Sequence, residues 1–404
     1  MKKQLTAALA AALLLTGCGT PYSNNTTDLG AGISPAAPSG NLTAETVSAQ
    51  YQFTCGLLQS ANSAHPGENL GFAPVLNALG IAAYGAGASG DTRTEIEQAF
   101  GGMNADDVFS GLCSVSGEES ESILQTALSF WYRNDSIQSP KTAYLQKIAG
   151  AAEIYSAPFS DQTRWDMNKW ISDHTNAEST DLLPELTADE CADLLTAAVF
   201  DAKWKEKYAD NEVRNALFYQ ADGQQKSTPF MKKETDPAVY LSDEKKAVGF
   251  MRPYADSRMS FAALMPVDMT PEEYIAQLTP EELSQTLRGG IQTEMYTAIP
   301  AFTVDTETDL APILKKMGIQ KAYDPDAADF SGISDGKLYL SRALQQIRLT
   351  VDQNGTKATF SLNLSGEESS APEYSVMLNR PFLWFIYDSR SELPVFAGVL
   401  QTVS

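Results

Sequence analysis

Residues 355–365 read GTKATFSLNLS, and residues 366–373, GEESSAPE, follow without a break. Thr356, Ala358, Phe360, Leu362 and Leu364 fall on one face of an extended chain, and Lys357, Thr359, Ser361 and Asn363 on the other. That alternation predicts a half-buried β-strand. The acidic, small-residue stretch behind it has the composition of an exposed loop. Either this is an ordinary permanent strand that happens to end there, or a strand-forming sequence is held in reserve beside a loop. Both readings stay open on these residues alone.

Working outward, the chain has 404 residues, 43% of them hydrophobic and 20% charged, enough to bury a large core. Disorder throughout is excluded. The N-terminus, MKKQLTAALAAALLLTGCGT, carries Lys2 and Lys3, then an apolar run too short to span a bilayer, then small residues. This is the layout of a secretory leader. Leu15-Thr16-Gly17-Cys18 resembles the bacterial lipoprotein signal, in which cleavage before the cysteine leaves Cys18 as a lipidated N-terminus. The expected organisation is a leader over 1–17, a lipidated Cys18 with a flexible Gly/Ser/Thr/Asn/Pro tether over 18–43, and one folded domain over 44–404. The protein is then exported, extracellular, and tied to the outer face of a bacterial membrane only through its lipid.

Acidic side chains number 51 against 29 basic, for a net charge of −22, and removing the leader takes away two lysines and no acid. No basic track is visible, so nucleic acid is not expected as a partner. Cys55, Cys113 and Cys191 are far apart and odd in number, which suits buried small side chains better than a disulfide framework or metal site, although one pair could oxidise in an exported protein.

The first half reads as mainly helical. Helices are expected over 45–60, over 74–84 behind Pro74, behind a capping box formed by Thr92 and Glu95, and over 142–151, 164–175 and 187–194. Alternation predicts strands over 238–254, 258–265, 292–304, 339–352, 377–388 and 394–403, with short helices near 271–277, 280–287 and 308–316. Helices first and strands later indicate an α+β domain.

Two motifs mislead. Gly85-Ala86-Gly87-Ala88-Ser89-Gly90 matches the dinucleotide glycine fingerprint but follows a helix, so it reads as a helix C-cap and turn. Gly332-Ile333-Ser334-Asp335-Gly336 matches the nucleophile elbow, yet a strand follows it where a helix is required. The only histidines are His65, in a Pro/Gly loop, and His174, on a polar helix face, and both read as surface residues. A hydrolase using Ser334 and His174 is the weakest of the functional readings. No metal, phosphate-loop or other catalytic constellation is present, and no cofactor is expected.

The chain resembles the serpin family along nearly the whole of 45–404. The block NLGFAPVLNALGIAAYGAGASGDTRTEIEQAF is similar to the family's first conserved block, with Pro74, Gly85, Gly90 and Thr92 in place. Asn168, Trp170, Ile171 and Thr175 match its "N-x-W-[IV]-x-x-x-T" helix. LLTAAVFDAKW, with Phe200, Lys203 and Trp204, resembles the strand that runs up to the breach of the central sheet. Pro253-Tyr254, Leu264-Met265-Pro266, IPAFTVDTETDLAPILKKMGI, Ala328-Asp329-Phe330-Ser331-Gly332 and RPFLWFIYDSRSELPVFAGVL follow in order. The implied fold is a single α+β domain of three β-sheets with about eight or nine helices and an exposed reactive-centre loop over about 353–375.

The resemblance also answers the opening question, because in serpins the segment after V-D-x-x-G-T is the hinge of a loop that a protease cleaves and that then inserts into the main sheet as an added strand. It implies a single-use inhibitor of serine or cysteine proteases, trapping the target as a covalent acyl-enzyme, and not an enzyme itself. The hinge residues are Gln353, Gly355, Thr356, Ala358, Phe360 and Ser361. The scissile region is Glu368, Ser369, Ser370 and Ala371, whose small residues suit an elastase-like or subtilisin-like pocket. Shutter and breach positions are Ala73, Pro74, Thr196, Trp204 and Gln345. Departures from the family are Gln353 for Glu, Phe360 among small residues, and Ala73, Thr196 and Gln345 for Ser, Asn and His, which imply a thinner polar network under the sheet. The alternative is a non-inhibitory serpin-fold surface binding protein. A monomer is expected.

Overall fold

The computed structural model describes residues 22–36, 40–115, 123–135, 139–175, 183–187, 189–244, 246–356 and 372–403. Among them are nine α-helices: α1 (Ala44–Ala64), α2 (Pro74–Gly87), α3 (Gly90–Ala99), α4 (Ala105–Cys113), α5 (Thr142–Ile148), α6 (Asp161–Thr175), α7 (Pro271–Gln277), α8 (Pro280–Arg288) and α9 (Ala311–Lys316). Local chemistry sets many of the ends. The Thr43 hydroxyl caps α1 through the Thr46 amide. The repeated Thr-Pro-Glu-Glu openings of α7 and α8 form capping boxes, Thr270 with Glu273 and Thr279 with Glu282.

The first sheet runs β1 (Thr27–Asp28), β4 (Glu153–Ala157), β3 (Ile123–Arg133), β5 (Ala192–Lys203), β13 (Gly355–Thr356), β12 (Arg342–Asp352) and β11 (Phe302–Asp309). The remaining strands are β2 (Leu70–Phe72), β6 (Val213–Tyr219), β7 (Gln225–Asp243), β8 (Ala247–Pro253), β9 (Met259–Pro266), β10 (Ile291–Pro300), β14 (Tyr374–Met377), β15 (Phe382–Asp388) and β16 (Leu393–Leu400). Their ladders link into one continuous nine-stranded path that the long strands β7 and β10 divide into two parts. One carries β6 and β14 on its flanks, and the other continues through β8, β9, β15 and β16 to β2. The α+β fold of three sheets is therefore the observed one.

β5 is buried on both faces. Leu194, Ala198 and Phe200 point into the main core shared with α2, and Leu195 and Ala197 into a second core with Trp131 and Trp170 of α6. This explains one wrong expectation. A continuous apolar run such as LLTAAVF carries no period, so residues 192–194, read as the end of a helix, are the start of a strand. The capping box is also corrected. α3 starts at Gly90, and Thr92 and Glu95 instead accept amide hydrogen bonds from Asp329 and from Gln320 and Lys321.

Residues 22–36 fall within the span expected as a tether, and they pack on the domain. β1 adds to the edge of β4, and the fully buried Asp166 carboxylate accepts from the Ser23 amide at 3.0 Å, the Ser23 hydroxyl at 2.7 Å and the Thr26 hydroxyl at 2.5 Å. The Tyr22 ring meets Tyr155 edge-on at 5.3 Å. An open strand edge and a buried carboxylate both need partners, and this segment supplies them. The cysteines Cys55, Cys113 and Cys191 form no disulfide. Among the described residues no helix is long and apolar enough to cross a membrane.

Candidate functional site

The first sheet has a seam between β5 and β12. At its upper end β13 lies between them, antiparallel to both, with Gly355 opposite Lys203 and Asp352, and Thr356 opposite Ala202 and Val351. Below Thr356 the two strands close on one another in a parallel ladder from Arg348↔Val199 down to Arg342↔Asp193. Only glycine fits at 355. Its φ is +144°, and a Cβ there would lie 2.0 Å from the Ala202 carbonyl oxygen.

The turn that delivers β13 is held by three backbone carbonyls. The Trp204 indole N–H donates to the Asp352 carbonyl at 2.7 Å, the Trp204 amide to that of Asn354 at 3.1 Å, and the Tyr208 amide to that of Gln353 at 3.3 Å. The Asp352 carboxylate caps the Asn354 amide at 2.8 Å, while burial pushes its carboxyl above the usual range. Trp204 is 1% exposed and stacks on Tyr254 at 4.7 Å. Gln353, Gly355 and Thr356 are thus brought together with Trp204.

Lower on the seam, Ala73, Pro74, Thr196 and Gln345 also meet. Ala73 precedes Pro74 at the start of α2 and has no side chain to cap the helix. Gln345 does that work from β12. Its Oε1 accepts from the Ala73 amide at 2.9 Å and from Asn77 Nδ2 at 2.7 Å, and its Nε2 donates to the Gly71 carbonyl at 3.0 Å. Thr196 donates to Asn77 Oδ1 at 3.2 Å. Asn77 was missed in the sequence. The signal was a single amide in the otherwise apolar helix PVLNALGIAAYG, because a buried amide must find partners. With Asn77 included, the network is fuller than the substitutions at 73, 196 and 345 imply.

Across the outer face of this sheet lies α6. Asn168 accepts the Leu183 amide at 2.8 Å, and the Trp170 indole donates to Glu153 at 2.9 Å. His174 is not the surface residue its polar helix face suggested. Its ring tilts against Trp170 at 4.5 Å, Nδ1 lies 2.7 Å from the Trp170 carbonyl, and Nε2 lies 3.1 Å from Glu153 Oε1. Burial alone would lower the imidazole, but the bond to Glu153 and its charge outweigh this and hold His174 above 6.5. Burial would likewise raise Glu153, yet hydrogen bonds from His174 and Tyr155 hold it below the ordinary value. Ser334 is 1% exposed and sits in a turn, with no strand before it and no helix after it. His65 pairs with Glu68 in a loop. No group of metal-ligating side chains occurs among the described residues.

Ala358, Phe360, Ser361, Glu368, Ser369, Ser370, Ala371 and Cys18 lie outside the described residues. The chain is described again from Pro372, and β14 then runs parallel to β10 with Val376 opposite Thr297.

A family model described as serpin (serine protease inhibitor) matches residues 48–402. The chain is a serpin. The match to plasminogen activator inhibitor 1 of Bos taurus is 27% identical over 246 residues and spans 59% of this serpin and 61% of that protein. Leukocyte elastase inhibitor A of Mus musculus is 26% identical over 380 residues, spanning 87% of this serpin and 97% of the other. Among solved structures, the thermophilic serpin tengpin in its native state is 28% identical with a TM-score of 0.87, over 94% of this serpin and 100% of tengpin. The seam described above therefore lies in the central sheet of a serpin.

Proposed function

We propose that this serpin is a suicide-substrate inhibitor of serine proteases, acting by cleavage of the segment after Thr356 and its insertion into the seam between β5 and β12. The observation that carries this reading is the register of β13. Gly355 and Thr356 stand opposite Lys203 and Ala202, so an antiparallel strand continuing downward would bring Phe360, Leu362 and Leu364 opposite Ala198, Thr196 and Leu194. Side chains opposite one another share a face. Leu194 and Ala198 face the main core, whereas Ala197 and Leu195, which Ser361 and Asn363 would oppose, face α6. The apolar face of GTKATFSLNLS then meets the apolar side of the seam. A slip of one residue would reverse every side chain.

Burying Phe360, Leu362 and Leu364 at about 1.5–3 kcal/mol each supplies a driving force that the uncut chain cannot reach while its loop is tied at both ends. The target protease attacks a bond near Ser369 or Ser370, its serine becoming acylated as the C-terminal side leaves with a free amine. Insertion carries the acyl-enzyme away before water completes hydrolysis. The serpin supplies no catalytic group, only a kinetically trapped fold. Small residues at 369–371 fit an elastase-like or subtilisin-like protease. We place the protein outside a bacterial cell, held to the membrane through Cys18, on the strength of the leader sequence.

The test is to incubate the chain after Cys18 with an elastase-type and a subtilisin-type protease and run denaturing gels. A band at the summed mass supports the proposal. If only cleaved serpin appears with both proteases active, heating decides. A large gain in thermal stability on cleavage says the strand inserts and the wrong proteases were used. No gain sinks insertion and favours a non-inhibitory binding protein, to which Gln353 and Phe360 already lean.

A further inference from the structure

Arg252, near the end of β8, is 2% exposed. Its Nε donates to Asp236 Oδ2 at 3.0 Å and its Nη2 to the Glu206 carbonyl, and its guanidinium carbon lies 4.8 Å from the Trp204 ring and 4.3 Å from the Tyr208 ring. Those two aromatics are the residues whose N–H groups hold the carbonyls of Asp352, Gln353 and Asn354, at the start of the hinge. On the other side, Asp236 Oδ2 also accepts from the Thr297 hydroxyl at 2.7 Å. Thr297 stands opposite Val376 in the parallel pairing of β10 with β14, the strand after the loop. Asp236 is 2% exposed and Thr297 0%.

A buried ion pair costs desolvation that an apolar pair of the same size would avoid, so stability alone does not explain this one. Its geometry does something an apolar pair cannot. The planar guanidinium lies against two rings and bonds in its own plane at the same time. The carboxylate joins that plate to a hydroxyl two strands away.

We infer that Arg252 and Asp236 form a relay that couples the two ends of the reactive loop, so that the hinge at 352–356 and the anchor at 374–377 are held or released together. Resting on the insertion reading above, this assigns Arg252 as a positioning residue. It keeps the uncut loop outside the seam by refusing independent movement at either end. Release of only one end would leave the other as a tether.

The experiment is hydrogen exchange read by mass spectrometry on the uncut full domain, comparing the native chain with Arg252→Met and Thr297→Val. Arg252→Met is expected to speed exchange at 204–208 and at 374–378 together, by on the order of tenfold, with β15 and β16 unchanged. Thr297→Val removes only the hydroxyl at the far link and is expected to speed exchange at 204–208 as well as locally. If Arg252→Met loosens only the hinge side, or Thr297→Val only β14, the two ends are independent and the relay falls. Should Arg252→Met fail to fold, Thr297→Val decides alone. No protease is present, so coupled loosening stands even if the chain traps no target, and normal trapping with uncoupled ends overturns the relay alone.

Discussion

Thr196 and Gln345 stand directly opposite one another on β5 and β12, and both hydrogen-bond the same buried side chain, Asn77 of α2. A strand entering between β5 and β12 would move them apart by about one strand spacing, roughly 4.8 Å, so Asn77 cannot keep both. It acts as a clasp on the closed seam.

Asn77→Ala should therefore weaken the uncut form by about 1–3 kcal/mol, since Thr196 retains the Leu344 carbonyl and Gln345 retains the Ala73 amide. The cleaved, inserted form should lose less. Thermal unfolding of both forms checks this, and an equal loss in the two would mean that Asn77 only packs α2.

Thr356→Arg places a long charged side chain where the register turns it toward the main core. Cleavage by the target protease should be unaffected, while the band of summed mass disappears. Retained trapping would show that trapping does not need residue 356 to keep its place in the seam.

Gly355→Ala strains the backbone at φ +144° and drives a Cβ into the Ala202 carbonyl. The two-residue strand should be expelled, and a larger fraction of serpin should be consumed as plain substrate. The measure is the number of inhibitor molecules used per protease trapped, which should rise several-fold.

The His174–Glu153 contact makes the attachment of α6 to β4 pH-dependent. His174 is raised in the folded state, so its contribution is full below about 6.5 and is lost as pH rises through its higher folded value. Glu153 is lowered, so its share is present above about 4.5 and is lost as pH falls through its folded value. Asp173, Tyr155 and the edge-on Tyr22 also face this pair, and Asp173 adds to the upward shift of the imidazole. Unfolding midpoints of the native chain and His174→Gln should differ most between the ordinary carboxylate and imidazole values, about 4.5 and 6.5, and converge as pH rises through the folded value of His174. A constant difference would mean that the ring acts only by packing on Trp170.

Much of this was readable in the sequence because its signals are local. Gly355 was placed at the hinge by the resemblance, and Thr-Pro-Glu-Glu announces a helix start. β5 was legible only through the resemblance, since LLTAAVF is apolar on every face and has no period to read. Thr92 and Glu95 look like a capping pair, but Asp329, Gln320 and Lys321 compete for them from across the fold. Residues 22–36 have the composition of a tether, and their acceptor, Asp166, lies 140 positions from Thr26. Asn77 and the Arg252–Asp236–Thr297 chain were hidden for the same reason, because a buried polar group shows its purpose only when its distant partners are in place.

The closed lower seam would give the proposed insertion the character of strand exchange. From Arg348 and Val199 downward the two strands are already paired. Each step downward breaks one parallel pairing of β5 with β12 and makes two antiparallel ones, because β13 is antiparallel to both neighbours. The first rung already exists, so a freed loop end has no starting contact to search for. The process is a zipper with its slider already engaged, in which every advance is better bonded than the one before and the only resistance is the row ahead that has yet to open.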